Sequence, residues 1–305
     1  MTSARDRGAR WAAAILGLAL GAASTTAAAS SAASLYYDRS VMSAADVRCR
    51  LFTPDIASAL NASKAQARGA ALRQGDDDLA LAQIAFRAQT KADAAPCGSR
   101  DLVTAAARVR TAFDGYSRLL RLNLPGDVAG WRADRTLPIA GPVWRLSQTA
   151  LMDGAVVTFG LTGQQDHAQQ LTAASDFGGG PEPYAARLLI RNQARAPQPY
   201  LDVQRVGSIA GLALRARTPP RSMTRAYLAE ARGPADRRLL IPGQKAATAF
   251  RFPAAAIDAI AALDPREAIT VEFLFSGQTG DVARQAFIEV GDFAAGQAFL
   301  TVAGR

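Results

Sequence analysis

The apolar residues of this 305-residue chain change their spacing once, close to residue 124. From Tyr36 to Leu124 they recur at helical intervals, and no strand pattern interrupts them. Beyond Leu124, Gly and Pro become frequent and apolar residues alternate with polar ones. This order predicts an α+β fold in which an antiparallel helical bundle precedes an all-β sandwich or barrel-like domain with one or two short helices. The predicted divisions are 1–34, 35–124 and 125–305.

The helical half is predicted to contain four helices. The first covers about Ser40 to Phe52, and Thr53-Pro54-Asp55 then starts a second that ends at Arg73. The third begins at the three acids 76–78, and Ser99 caps the fourth. The fourth carries one continuous apolar stripe, which predicts a bundle seam: Leu102, Ala106, Val109, Phe113, Tyr116 and Leu120.

The segment before the bundle predicts export. Arg5, Arg7 and Arg10 precede an uncharged stretch, Trp11 to Ser34, that begins strongly apolar and then becomes rich in Ala and Ser. This is the layout of a secretory signal, with several small-residue cleavage sites between Ala28 and Ser34. An uncleaved anchor is the alternative, and only that alternative would place the protein on a membrane. We therefore expect a periplasmic or secreted protein.

The chain has two cysteines, Cys49 and Cys97. An isolated pair in an oxidising compartment normally forms one disulfide, which is the prediction here. A metal site would need more ligands than the single His167 supplies, and the C-x-x-C spacing of a redox pair is absent. No cofactor or metal is expected.

Positive charge is concentrated in one part of the second half. The chain has 35 basic and 26 acidic residues, a formal net charge of +9. Eight Arg lie between Arg205 and Arg238, opposed only by Glu230 and Asp236. The candidate ligand-binding residues are Arg215, Arg217, Arg221 and Arg225. The alternative is a set of solvent-facing arginines that discourage pairing at sheet edges.

The arginine fork suits phosphate and carboxylate oxygens. The partners that this segment suggests are an anionic glycan, a lipid headgroup or an envelope protein. Nucleic acid is excluded as a partner, because the segment has only Tyr227 for stacking and export is predicted.

The strand half contains nine candidate strands and two short helical segments. The helical segments cover about 253–263 and 292–299. The strands are Val143–Thr149, Ala155–Leu161, Ala185–Arg191, Leu201–Val206, Ile209–Ala216, Arg225–Ala231, Ala247–Phe252, Ile269–Ser276 and Arg284–Val290.

The last two strands carry the only candidate catalytic pair. A two-residue turn at Gly280-Asp281 would place Glu272 directly opposite Glu289, with Cβ atoms about 5 Å apart. Retaining glycosidases hold two carboxyl groups about 5–5.5 Å apart.

The end of the chain resembles a known kind of exported domain. The helix AAAIDAIAAL, the strands AITVEFLFS and RQAFIEV, and the following GDFAAGQAFL are similar to invasion-associated locus B type domains over about 254–300. The resemblance implies an all-β periplasmic module and carries no catalytic motif. This half of the chain lacks the cysteines that such domains tend to contain.

These observations together predict a non-catalytic binding or structural module of the bacterial envelope that recognises an anionic ligand. The alternative is a carboxylate-dependent hydrolase acting on glycans. No G-x-S-x-G, H-E-x-x-H or G-x-x-x-x-G-K-[ST] motif is present.

Overall fold

A computed structural model describes residues 31–136, 141–164, 169–201 and 211–301. Within these ranges, four α-helices come first, eleven strands follow, and two short α-helices lie among and after the strands, which confirms the predicted α+β order. The helices are α1 Ala32–Cys49, α2 Pro54–Arg73, α3 Asp78–Ala94, α4 Arg100–Arg118, α5 Ala255–Ala261 and α6 Phe293–Thr301. The strands are β1 Arg121–Leu124, β2 Trp131–Asp134, β3 Val143–Met152, β4 Ala155–Gly163, β5 Gln170–Ser175, β6 Ala185–Arg191, β7 Thr224–Leu228, β8 Ala231–Pro234, β9 Thr248–Phe252, β10 Ala268–Gly277 and β11 Gly280–Glu289.

The strands form two antiparallel sheets that enclose one core. The larger sheet has the order β1-β2-β3-β4-β5-β9-β8, and the smaller has the order β11-β10-β6-β7. Phe159 and Phe250 of the large sheet and Phe273 of the small sheet are completely buried in the same cluster. The rings of Phe250 and Phe273 meet edge to face, with centroids 5.5 Å apart. The predicted β-sandwich is therefore confirmed.

Small side chains let three helices of the bundle approach closely. α1 packs against both α2 and α3, and the fully buried residues along these contacts include Ala45, Ala71 and Ala88. Such contacts bury little apolar area, so a covalent link adds stability that the packing alone does not supply. The Cys49–Cys97 disulfide forms as predicted and ties the end of α1 to the loop before α4.

The helix α6 connects the bundle to the sandwich. It packs against α2 on one side and against β2 and β3 on the other. Phe299 of α6 meets the ring of Tyr116 of α4 edge to face at 5.4 Å. The guanidinium of Arg135 lies 3.6 Å from the centre of the Phe299 ring and donates to the Phe299 carbonyl. The two halves thus share apolar and polar contacts through the last helix of the chain.

The helix ends differ from those expected. α1 begins at Ala32, well before Ser40, because the Ser31 side chain accepts a hydrogen bond from the Ser34 amide and caps the helix. α4 ends at Arg118 and the chain becomes extended, so the predicted helical region up to residue 124 includes strand β1. Residues 1–30 of the predicted export segment, and His167, lie outside the described residues.

Several strand predictions need correction. β1, β2 and β5 were not predicted from the sequence. The predicted strand at 209–216 is wrong where it is described, because its end forms a 3-10 helix, Leu214–Arg217. The predicted strand 225–231 is two strands: β7 pairs with β6 and β8 pairs with β9, so the chain crosses between sheets there. Most of the predicted strand at 201–206 lies outside the described residues.

Candidate functional site

The predicted carboxylate pair does not form. The β10–β11 turn is at residues 278–279, so Glu272 lies opposite Gln285 and Glu289 lies opposite Ala268. The predicted register is therefore wrong. A Cβ on Gly277 would lie 2.6 Å from the carbonyl oxygen of Gly280, so glycine is needed beside the turn. The two glutamates are four residues apart along the ladder, about 13 Å.

Glu272 is a buried structural carboxylate on the small sheet. Its side chain is fully buried and accepts hydrogen bonds from Arg187 at 2.5 Å, from Gln285 at 2.9 Å and from Arg221. Burial acts to raise the pKa of Glu272, but the hydrogen bonds from Gln285 and Arg187 and the charges of Arg187 and Arg221 outweigh it. The pKa of Glu272 is therefore lowered, which keeps the group ionised and unsuited to act as a general acid.

Glu289 holds a loop of the large sheet. Its carboxylate accepts hydrogen bonds from the backbone amides of Asp127, Val128 and Ala129, at 2.7–2.8 Å. The backbone amide of Glu289 itself donates to the Gln148 side chain. Neither glutamate is free to attack or protonate a substrate, so the predicted hydrolase loses the geometry on which it rested.

The four candidate arginines do not converge. Arg217 is completely buried, and it pairs with Asp127 and donates to the carbonyl of Leu212. Arg225 lies over the ring of Tyr227, at 4.9 Å. Arg215 and Arg221 line one small pocket, of about 130 Å³. The expected anion site is thus reduced to two exposed arginines, one of which already pairs with Glu272.

A larger and more apolar groove lies in the helical half. It has a volume of about 540 Å³ and opens between α1, α2 and α4. Its apolar lining residues are Leu35, Ile56, Ala59, Leu60, Val109, Ala112, Phe113 and Tyr116. We call this feature the bundle groove.

The bundle groove exists because α4 changes partners along its length. Leu102 and Ala106, near its start, pack into the cluster of Met42, Ala45 and Leu60. Val109 still packs against this cluster but also lines the groove, as do Ala112, Phe113 and Tyr116 in the second half of α4. Tyr116 also packs against the sandwich core. The stripe predicted as a bundle seam is therefore a seam in its first half and a groove wall in its second.

Two arginines and one acid lie at the edge of the groove: Arg39, Arg108 and Asp38. Arg39 is half-buried and donates to the carbonyl of Ser63 at 2.6 Å. Burial lowers the pKa of Arg39, and the nearby charge of Asp38 opposes the shift. Within the described ranges, Arg39 has no carboxylate in ion-pair contact. The groove therefore combines an apolar wall with a partly desolvated positive charge.

Comparison of the chain with protein-family models, curated proteins and solved structures found no match. The resemblance of residues 254–300 to invasion-associated locus B type domains stays a prediction. In the part of the chain that the structure covers, no helix is long and apolar enough to cross a membrane. In the same residues, no three His, Cys, Asp or Glu side chains form a group that would hold a metal ion.

Proposed function

We propose that this chain is an exported, non-catalytic binding protein whose bundle groove holds a single-chain anionic amphiphile, specifically a long-chain carboxylate. The observation that carries the proposal is the pairing of an apolar groove with Arg39, a half-buried cation that has no ion-pair partner among the described residues. A pocket that is mostly apolar, with a few polar groups at one place, is the usual form of a small-molecule site.

The lining favours an alkyl chain as the buried part of the ligand. Phe113 and Leu60 are buried, and Leu35, Ile56 and Val109 present partly exposed apolar surface to the groove. Burying a methylene group contributes about 0.8 kcal/mol, so an alkyl chain gains affinity with each carbon that the groove covers.

The charges favour an anionic head. Arg39 and Arg108 outnumber Asp38 at the groove edge, which leaves one net positive charge there. Arg39 is half-buried and, among the described residues, has gained one hydrogen bond, to Ser63. A carboxylate beside it would restore a charged partner at little further desolvation cost.

Two features support the proposed compartment. The sequence before α1 has the layout of a secretory signal. The Cys49–Cys97 disulfide is typical of proteins that fold in an oxidising compartment. Both support a periplasmic or secreted location, where a lipid-derived carboxylate is a chemically suitable partner.

The first test is calorimetric titration of the full chain with dodecanoate below its micelle concentration. We expect saturable binding, and decanoate should bind about 10-fold more weakly because two fewer methylenes are buried. Dodecyltrimethylammonium, which has the opposite charge, should bind more weakly than dodecanoate. Equal binding of the anionic and cationic amphiphiles would contradict the assigned head group.

Two pairs of matched variants locate the site. Ala112→Trp fills the groove and should abolish binding, whereas Ala107→Trp on the exposed side of the same helix should leave it unchanged. Arg39→Gln should weaken dodecanoate binding about 10-fold, and Arg87→Gln on α3 should not. If Ala112→Trp folds and binds normally, the ligand site is elsewhere.

A further inference from the structure

A depression lies on the outer face of the large sheet, on elements that take no part in the bundle groove. The neighbouring strands β4, β5, β9 and β8 turn Phe159, Leu171 and Phe250 towards the core. Their opposite faces carry mostly small or hydroxyl side chains. These are Gly160 and Thr162 on β4, Thr172 and Ala174 on β5, Ala249 on β9, and Ala231 and Gly233 on β8.

Small side chains on this face leave a depression. The depression has a volume of about 590 Å³ and is walled by Pro142 on one side and by the segment from Pro234 to Leu239 on the other. We call it the recessed face, and its floor consists of Thr162, Gln170, Thr172, Ala249 and Arg251. The outer face of a sheet usually carries long polar side chains. Here it carries Gly, Ala and Thr at most of these positions, which leaves space above the strands.

The floor offers hydrogen-bond acceptors. The hydroxyl oxygens of Thr162 and Thr172 lie 3.1 Å apart, and they lie 3.2 and 3.3 Å from the carbonyl oxygen of Gln170. The two hydroxyl groups supply two protons for these contacts. Lone pairs of the two hydroxyl oxygens therefore remain free to accept a hydrogen bond from a ligand. The amide of Gln164, at the end of β4, also lines the depression.

Arg251 is the single charged residue of this floor. It lies directly opposite Thr172 in the β5–β9 pair, and its side chain is exposed. Its guanidinium makes no ion pair or hydrogen bond within the described part of the chain. Asp236 on the wall is occupied by Arg238, whose amide donates to it at 2.9 Å and whose guanidinium lies 3.5 Å away. Arg251 is thus available to an anion.

We propose that the recessed face binds an acidic sugar, a hexuronate unit of a polysaccharide or oligosaccharide. The guanidinium of Arg251 would bind the carboxylate of the sugar. Its hydroxyl groups would hydrogen-bond to Thr162, Thr172 and Gln164. The apolar C–H face of the sugar ring would contact Leu239, Pro142 and Pro234. An inorganic anion would use the cation and leave the acceptors unused. A neutral sugar would leave the cation unpaired.

The experiment is calorimetric titration of the full chain with trigalacturonate and with the matching galactose trisaccharide. Trigalacturonate should bind and weaken with added salt, and the neutral trisaccharide should bind about 10- to 100-fold more weakly because the charged hydrogen bond is missing. If both sugars bind equally, Arg251 has no recognition role and the proposal fails. If neither binds at low salt, the site is not a sugar site.

Matched variants assign the contacts. Arg251→Gln should cost about 10- to 100-fold in trigalacturonate affinity. Arg232→Gln, on the adjacent strand but paired with Glu182, should cost nothing. Thr172→Val should weaken binding about 3- to 10-fold, whereas Thr158→Val, outside the depression on β4, should not. Dodecanoate binding in the bundle groove should be unchanged in all four, so failure at one site is distinguishable from failure at the other.

Discussion

The guanidinium of Arg73 on α2 lies 3.3 Å from the carboxylate of Asp292, the residue before α6, and both side chains are almost completely buried. Burial raises the pKa of Asp292, and the charge and hydrogen bond of Arg73 counteract only part of the shift. Because the folded pKa exceeds the unfolded one, the contribution of Asp292 to stability decreases as pH rises through the folded pKa.

Arg73→Met should therefore destabilise the fold by about 3–5 kcal/mol near neutral pH, because it leaves the Asp292 carboxylate buried without its charged partner. The loss should shrink in acid, where Asp292 can take up a proton. Urea unfolding followed by circular dichroism at about pH 7 and about pH 4 measures both values. A control, Arg73→Met with Asp292→Leu, should recover much of the loss. A penalty independent of pH would contradict the assigned cause.

Glu272 should show the opposite dependence on pH. Its folded pKa is lowered, so the stability it contributes is present above its unfolded pKa and is lost as pH falls through the folded pKa. Glu272→Gln should cost about 2–3 kcal/mol near neutral pH, since charged hydrogen bonds from Arg187 and Arg221 are lost. The difference should diminish towards about pH 3. Glu230→Gln, at an exposed position, is the control and should have little effect.

Removal of the Cys49–Cys97 disulfide should lower the free energy of unfolding by about 4 kcal/mol, because the link closes a loop with a sequence separation of 48 residues. Replacing both cysteines by Ala tests this without leaving thiols. Reducing the unaltered protein should give a similar loss. Equal stability of the oxidised and reduced forms would show that the cross-link does not restrict the unfolded chain.

The capped start of α1 sets a limit on where the predicted export segment can be cleaved. Ser31 caps the helix and Ala32 is buried against α2 and α3, so cleavage at 34 would remove the first residues of α1. Cleavage at or before Ser31 preserves the helix, and small-residue sites are available there. Mass spectrometry of the exported protein should find Ser31 or an earlier residue at the N-terminus. A mature chain that begins at Leu35 would contradict the expectation.

Much of the fold was predictable where local signals agree. Pro54 after Thr53 predicts the observed start of α2. The alternation of apolar and polar residues predicts both ends of β6. The sequence places the turn at Gly280-Asp281, whereas the structure places it at 278–279, between Gly277 and Gly280. The need for glycine beside the turn comes from the close approach of Gly277 to Gly280, which the sequence does not show. β5 was missed although its core side, Leu171 and Ala173, follows the expected alternation.

The candidate sites could not be predicted because they depend on tertiary distances. A helix has the same apolar sequence pattern whether another helix covers its apolar face or leaves it open. The sequence around Val109 and Ala112 therefore does not distinguish a packed interface from a groove. The recessed face joins Thr172 to Arg251 across 79 positions of sequence, and only the β5–β9 pairing brings them together. The prediction that the four arginines of the basic segment form one anion site is wrong for a related reason. The Arg217 side chain is buried in the protein, where it pairs with Asp127.

The position of α6 has a consequence for the order in which the protein can assemble. α6 follows every other described element along the chain, yet α2, the second helix of the bundle, packs against it and buries Arg73 beside Asp292. The helices α1 to α3 can pack together before α6 is available. The Arg73 guanidinium, however, is paired only when Asp292, 219 residues later in the sequence, has been added to the fold. A chain truncated before residue 292 would keep the other helices and the strands but would lack α6 and the buried Arg73–Asp292 pair.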